Sequence, residues 1–191
     1  VSAYSSKFDE AVALAVDAFR PVRRKGVTTP YITHLFAVTA LVGEAGGDEE
    51  QMIAAVLHDL LEDIPDADVS DLEARFGSRV ARLVAALSDS VGSPKPAWRI
   101  RKEQYLAHLR EQPAEVKLVS CADKLHNASS LVRDLRHHGP STFARFNGGR
   151  DGTLWYYGEV HQALGHRWDH WLVHELGASV ASMQALAGGA P

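Results

Sequence analysis

The sequence predicts an all-α fold built as a single helical-bundle domain, and three observations predict it. Apolar residues recur at helical spacing along most of the chain. No stretch alternates apolar and polar residues as a half-buried strand would. The 191 residues suffice for one substantial core and fall short of the usual size for two domains. Apolar residues make up 46% and charged residues 23%, a balance that excludes disorder over much of the length. There is no internal repeat and no low-complexity segment.

A first helix is expected through Phe8, Val12, Ala15 and Phe19, stopped near Pro21. The basic loop Arg23-Arg24-Lys25-Gly26 follows. Thr29-Pro30 reads as an N-cap with proline at the first helical position, opening a helix through Ile32, Leu35, Val38 and Leu41 that ends at Gly46-Gly47. Asp48 with Gln51 is a capping-box start for Met52 to Leu61, apolar nearly all round and so expected to be central. Short helices are expected at Ser70 to Phe76, capped by Gly77, and at Val80 to Leu87, followed by a loop from Ser88 to Pro96. Trp98 to Leu109 is amphipathic. Pro113 opens a long helix through Leu135, stopped by Gly139-Pro140. Thr142 to Phe146 is expected as one turn, and Asn147-Gly148-Gly149 and Asp151-Gly152 as loop. Helices from about Thr153 to Leu164 and from about His166 to Ala185 complete the domain, set at 1–187 with 188–191 as a frayed tail.

A net charge of −4 is not suited to gripping a nucleic-acid backbone over a broad surface, although a small anion can still be held locally. The single cysteine, Cys121, leaves no intramolecular disulfide. No apolar run approaches a membrane span and no signal pattern is present, so the expectation is a soluble, cytoplasmic chain without membrane partners.

Ten histidines are more than packing requires, and three segments concentrate ionisable groups on core helices. They are Pro30-Tyr31-Ile32-Thr33-His34, His58-Asp59-Leu60-Leu61-Glu62-Asp63 and Ala122-Asp123-Lys124-Leu125-His126-Asn127. In the middle segment, His58 and Glu62 share one helical face, and Asp59 and Asp63 the adjacent one. Clustered acids at the end of an apolar helix are expensive unless compensated. A divalent cation compensates them, and imidazole with carboxylate is a suitable ligand set. Each segment alone reads as core hydrogen bonding. All three together point to one shared site.

This wording resembles the HD-domain phosphohydrolases, whose signature is His…His-Asp…Asp. The fuller run, with Phe76-Gly77 and Val80-Ala81 to Leu83-Val84, looks like the hydrolase half of the RelA/SpoT enzymes, especially the stand-alone small alarmone hydrolases. The match covers about residues 4 to 160, and no synthetase domain is expected within the 191 residues. The resemblance implies that His34, His58, Asp59 and Asp123 bind one metal, manganese first among divalent ions. It implies that Glu62 and Asp63 orient and deprotonate water, that Asn127 touches the ribose, and that Arg24 and Lys25 lie against the base or a phosphate. It also implies removal of the 3′-pyrophosphate of ppGpp or pppGpp. Two imidazoles and two carboxylates leave positions open on an octahedral ion, which activates water and polarises a phosphoryl oxygen. The expected partner is thus a small nucleotide, with a homodimer compatible.

The chain departs from the family pattern at Leu35, where proline is usual, and at Phe19-Arg20-Pro21-Val22, which replaces His-x-Gly-Gln. It also departs in the length of the Arg23 to Thr29 loop and in Ala85-Ala86-Leu87-Ser88-Asp89-Ser90. These positions fall near the base and phosphate pocket and leave the metal set intact. Trp155-Tyr156-Tyr157 stands where the small hydrolases carry an aromatic stretch. Tyr156 is the candidate phosphate contact, against a core-packing role. His166, His170 and His174 are expected as a solvated helical stripe, Arg99, Arg101 and Lys102 as a solvated basic patch, and Cys121 as packing. His137-His138 suits a helix C-terminus. The competing readings are hydrolysis of another phosphorylated nucleotide, such as NADPH or a nucleoside monophosphate, and a non-catalytic nucleotide sensor. A clearing role opposite an alarmone synthetase would use the same chemistry.

Overall fold

A computed structural model describes residues 4–88 and 96–188. Among them the elements are α1 (Ser6–Ala18), α2 (Ile32–Glu44), α3 (Glu49–Leu57), α4 (Leu60–Asp63), α5 (Val69–Phe76) and α6 (Ser78–Leu87). There follow α7 (Trp98–Glu111), α8 (Ala114–His138), a 3-10 segment (Gly139–Arg145), α9 (Gly149–Gly165) and α10 (Trp171–Ala187). The fold is all-α, with one isolated antiparallel bridge, Arg23 to Pro30, among the described residues.

The 25-residue α8 is the axis of the bundle. It packs against α2, α3, α6, α9 and α10. Its apolar positions Val119, Ala122, Leu125, Ala128, Leu131 and Leu135 are buried, and Gly139 ends it at φ +69°, a backbone conformation that a side chain resists. The α3 helix is apolar on every side because α1, α2, α6 and α8 all pack on it. The Asp48–Gln51 capping box is present, with Gln51 N–H donating to Asp48 Oδ1 at 2.9 Å and Asp48 N–H to Gln51 Oε1 at 3.0 Å.

Several boundaries differ from the sequence reading. The α2 helix starts at Ile32, not at Pro30, because Tyr31 N–H bonds back to the Val22 carbonyl and Arg24 N–H to Thr29, closing the basic loop as a small β-like clasp. The helix expected from Met52 to Leu61 breaks at His58-Asp59, between α3 and α4. Gly149 to Gly152 are helical, not loop. The last helix begins at Trp171, with His170 as its N-cap, so His166, His170 and His174 form no helical stripe. His174 instead lies 2.7 Å from Asp169 on the surface. The expected loop from Ser88 to Pro96 and the tail beyond Gly188 lie largely outside the described residues, as do Asp89 and Ser90.

Candidate metal centre and active site

Three packed helical segments carry the ionisable residues singled out in the sequence. His34 stands in the first turn of α2, His58 and Asp59 in the break after α3, and Asp123 in the middle of α8. The break matters. A continuous helix would hold His58 and Asp59 about 100° apart around its axis. The interruption lets both turn to the same point, His58 Nε2 lying 2.9 Å from Asp59 Oδ2.

His34, His58 and Asp123 are buried, and Asp59 nearly so. His34 Nε2 lies 3.2 Å from Asp123 Oδ1 and 3.7 Å from Asp59 Oδ2, and His58 Nε2 lies 3.6 Å from Asp123 Oδ1. Ligand atoms of His34, His58 and Asp59 all fall within 4.8 Å of one another. Neighbouring ligands on a six-coordinate ion with bonds of ~2.1 Å sit ~3 Å apart, so these spacings suit one shared ion. The other ring nitrogens are engaged. His58 Nδ1–H donates to the Ala55 carbonyl at 2.7 Å, and His34 Nδ1 shares a proton with His126 Nδ1 at 2.7 Å. Both Nε2 atoms are left buried and without a hydrogen-bond partner. Buried polar atoms are seldom left so. A divalent cation satisfies both nitrogens together with Asp59, and Asp123 Oδ1 adjoins that set at 3.2 and 3.6 Å from the nitrogens, so the donors fit such an ion.

The electrostatics agree. Burial alone would lower the His58 pKa, but Asp59 and Asp123 overturn that and hold it well above the ordinary histidine value. Burial would raise the Asp123 carboxyl, but Lys124, His34 and His58 keep it far below the usual range. Asp59 is lowered in the same way, mainly by His58. His34, lacking so close an acid pair, is lowered by burial.

Above this centre lies a cavity of about 800 Å³, enough for a nucleotide. Four of its lining residues each hold one donor from behind. The Tyr31 hydroxyl donates to Asp59 Oδ2 at 2.6 Å, and His126 meets His34. Lys124 Nζ and Asn127 Nδ2 each donate to Asp123, both at 2.5 Å. Arg24, also lining the cavity, donates to Asn127 Oδ1 at 2.5 Å, and Lys25 Nζ to Asn147 Oδ1 at 3.0 Å. Asp63 lines the cavity, whereas Glu62, half-buried on α4, does not. Tyr156 is both packed and presented. It is 8% exposed, lines the cavity, and its hydroxyl is buried without a hydrogen-bond partner.

Reasoning from sequence assigned no role to Tyr31, Lys124, Arg133 or Arg145, all of which line the cavity, and set Lys102, which also lines it, on a solvated patch ahead of a phosphate contact. Tyr31 and Lys124 lie within the quoted segments, and a search for hydrogen-bonding neighbours of ligands could have found them. Arg145 carries no local signal, since it reaches the site through the 3-10 segment after α8 and is anchored by Asp134 at 2.5 Å. Lys102, expected on a solvated patch, turns into the cavity with its Nζ 4.9 Å from the centroid of the Tyr156 ring. Cys121 is packing, as expected, for it is buried and its thiol is pushed up to about 12 by that burial and by Asp123.

Fold and site together define a helical domain built to hold a divalent ion beneath a nucleotide-sized cavity. The chain belongs to the HD domain family, whose model matches residues 11–154. It is 37% identical over 127 residues to the zebrafish (Danio rerio) guanosine-3′,5′-bis(diphosphate) 3′-pyrophosphohydrolase MESH1, covering 65% of this chain and 68% of that one. It is 38% identical over 108 residues to the bifunctional (p)ppGpp synthase/hydrolase SpoT of Escherichia coli K12, of which it spans only 15%. A solved structure described as a metazoan ortholog of SpoT that hydrolyses ppGpp superposes with a TM-score of 0.79 at 28% identity, covering 97% of this chain and 99% of that one. The relatives are thus the RelA/SpoT hydrolases and their stand-alone forms.

Proposed function

We propose that this chain removes the 3′-pyrophosphate from guanosine alarmones, converting ppGpp and pppGpp to GDP and GTP, and that residues 1–187 form one hydrolase domain for this reaction. The observation that carries the reading is two buried histidine Nε2 atoms, neither in a hydrogen bond, converging with two aspartates next to residues that line a cation-rich, nucleotide-sized cavity. The near full-length likeness to a ppGpp hydrolase supports it.

In this reading His34, His58, Asp59 and Asp123 hold one divalent ion, manganese. When bound, the ion supplies Lewis-acid activation of water and of a phosphoryl oxygen. Glu62 and Asp63, the latter on the cavity wall, orient the attacking water and accept its proton. Water adds to the phosphorus next to the 3′ oxygen, that P–O bond breaks, and the nucleoside oxygen takes up a proton. Lys124 is kept charged, because Asp123 outweighs its burial, and it faces the charge that develops on the phosphate. Arg24, Lys25 and Asn127 take the base and ribose end, and Tyr156 offers its hydroxyl to a phosphate. The cytoplasm is the setting that a lone buried cysteine suits.

Incubation with ppGpp should release pyrophosphate and GDP when manganese is present and nothing after chelation. Asp59→Ala should abolish turnover and metal binding together. Orthophosphate release from NADPH or a nucleoside monophosphate, with ppGpp untouched, would favour the alternative substrates.

A further inference from the structure

The first half of α7 presents mainly charged side chains, with Arg101 and Lys102 half-buried. Between residues 98 and 104 its other apolar side chain, Ile100, is 49% exposed, and the buried anchors Tyr105 and Leu109 come later. Trp98 alone in that stretch packs against the core. Its indole lies on the start of α9, where two glycines make room for it. A Cβ on Gly148 would sit 2.6 Å from Trp98 Cη2, and one on Gly152 would sit 3.2 Å away. The same ring meets Trp155 and Tyr156 edge-on, with centroids 6.2 and 6.4 Å apart, and Arg99 lies over the Trp155 ring at 3.3 Å. Lys102, one turn further along α7, reaches the cavity beside Tyr156. Gly148 also follows Asn147, which accepts from Lys25, another residue of the cavity lining.

We propose that Trp98 is a positioning residue of the substrate cavity. Its indole, lodged on Gly148 and Gly152, fixes the first half of α7 and so places Lys102 and the Tyr156 face against the anionic end of the substrate. The nature of that anion, a nucleotide polyphosphate, rests on the alarmone reading, but the clasp itself does not. The alternative is a tryptophan that only contributes packing. It predicts a lower melting temperature with unchanged substrate recognition.

Two variants attack the contact from opposite sides. Trp98→Ala removes the ring. Gly148→Ala leaves the ring intact and wedges it out, and Gly148 has ordinary right-handed helical backbone (φ −81°), so alanine brings no backbone strain. Amide hydrogen exchange reads the clasp without any substrate. In both variants, amides of residues 99–104 should exchange about tenfold faster while those of α8 stay as in the parent. Unchanged exchange overturns the clasp whatever the substrate is. With ppGpp, both variants should raise KM about tenfold with kcat within about threefold and manganese affinity unaltered. Trp98→Phe should restore most of the affinity. Because Trp98 acts in part through Lys102, the loss in the double variant Trp98→Ala/Lys102→Ala should be smaller than the product of the two single losses. Fully additive effects, or an equal loss in kcat with KM unchanged, overturn the positioning role. Absence of any pyrophosphate release by the parent protein refutes the alarmone reading instead, and the exchange result then decides the clasp on its own.

Discussion

At the scale of single residues, the candidate metal centre is defined as much by the residues that hold the candidate donors as by the donors themselves. Asp59 shows this best. Its Oδ2 accepts from the Tyr31 hydroxyl, and that phenol stays protonated because burial, then Asp59 itself, pushes its pKa far up. The Tyr31 ring stacks on Phe19 at 5.3 Å, so its place is set by packing and not by the hydrogen bond. Tyr31→Phe should therefore keep the fold and lower divalent-metal affinity about tenfold to a hundredfold, as loss of a partner behind a ligand commonly does. Titration calorimetry with manganese checks this, and unchanged affinity would mean that Asp59 is oriented by the helix break alone. The three segments stood out in the sequence because ionisable residues on apolar helices are conspicuous, and the family resemblance is what picked the four candidate donors from them. Tyr31 was given no role, since a tyrosine beside a helix start looks like any core aromatic. The apposition of Lys102 and Arg145 across the cavity depends on tertiary packing that leaves no trace in local spacing.

At the scale of elements, the sequence reading succeeded where a helix has strong punctuation and failed where tertiary contacts override it. The Asp48–Gln51 box, Gly77 and Gly139 mark true ends because capping is local chemistry. The break at His58-Asp59 was invisible because all ten residues from Met52 to Leu61 favour or tolerate helix, and only convergence on the site turns the backbone there. Gly149 to Gly152 read as loop, yet they open α9; Trp98 occupies the space a Cβ on Gly148 or Gly152 would take, a tertiary contact that local spacing does not show. The α3 cap bears on function, since α3 is the rigid rod that delivers His58. Asp48 accepts from Gln51 N–H and also pairs with Arg79 at 2.7 Å. Asp48→Ala should lower stability by about 1 kcal/mol, the usual cost of a lost N-cap, because the Arg79 pair is largely exposed and adds little. Urea unfolding measures the loss. Since α3 stays clamped between α1, α2, α6 and α8, metal affinity should not change, and a parallel drop in affinity would show that the cap fixes the position of His58.

At the scale of the whole molecule, the metal centre ties together α2, the α3–α4 break and α8, so an ion bound there braces elements from distant parts of the chain. Without it, the fold buries an imidazolium, two carboxylates and the Lys124 ammonium in one cluster. Their mutual attraction offsets the desolvation, while His34, buried 3.2 Å from Asp123, is held below the ordinary histidine value by burial. Binding only to the folded state stabilises by about 2.7 kcal/mol at a hundredfold excess over Kd, which for a domain of this size raises Tm by roughly 5–10 °C. Manganese should produce such a shift and chelation should reverse it. Asp123→Ala should show none, and Trp98→Ala should keep all of it. The pH dependence has a definite sign. His58 is raised above its unfolded value of 6.5, so its pairing stabilises the metal-free fold below that value and is lost as pH rises through its folded pKa. The ion needs His58 neutral and must displace its proton, so the shift should be larger near pH 8 than near pH 6. A metal-induced shift that stayed constant across that range, or grew toward acid, would mean that the ion is held by carboxylates without His58.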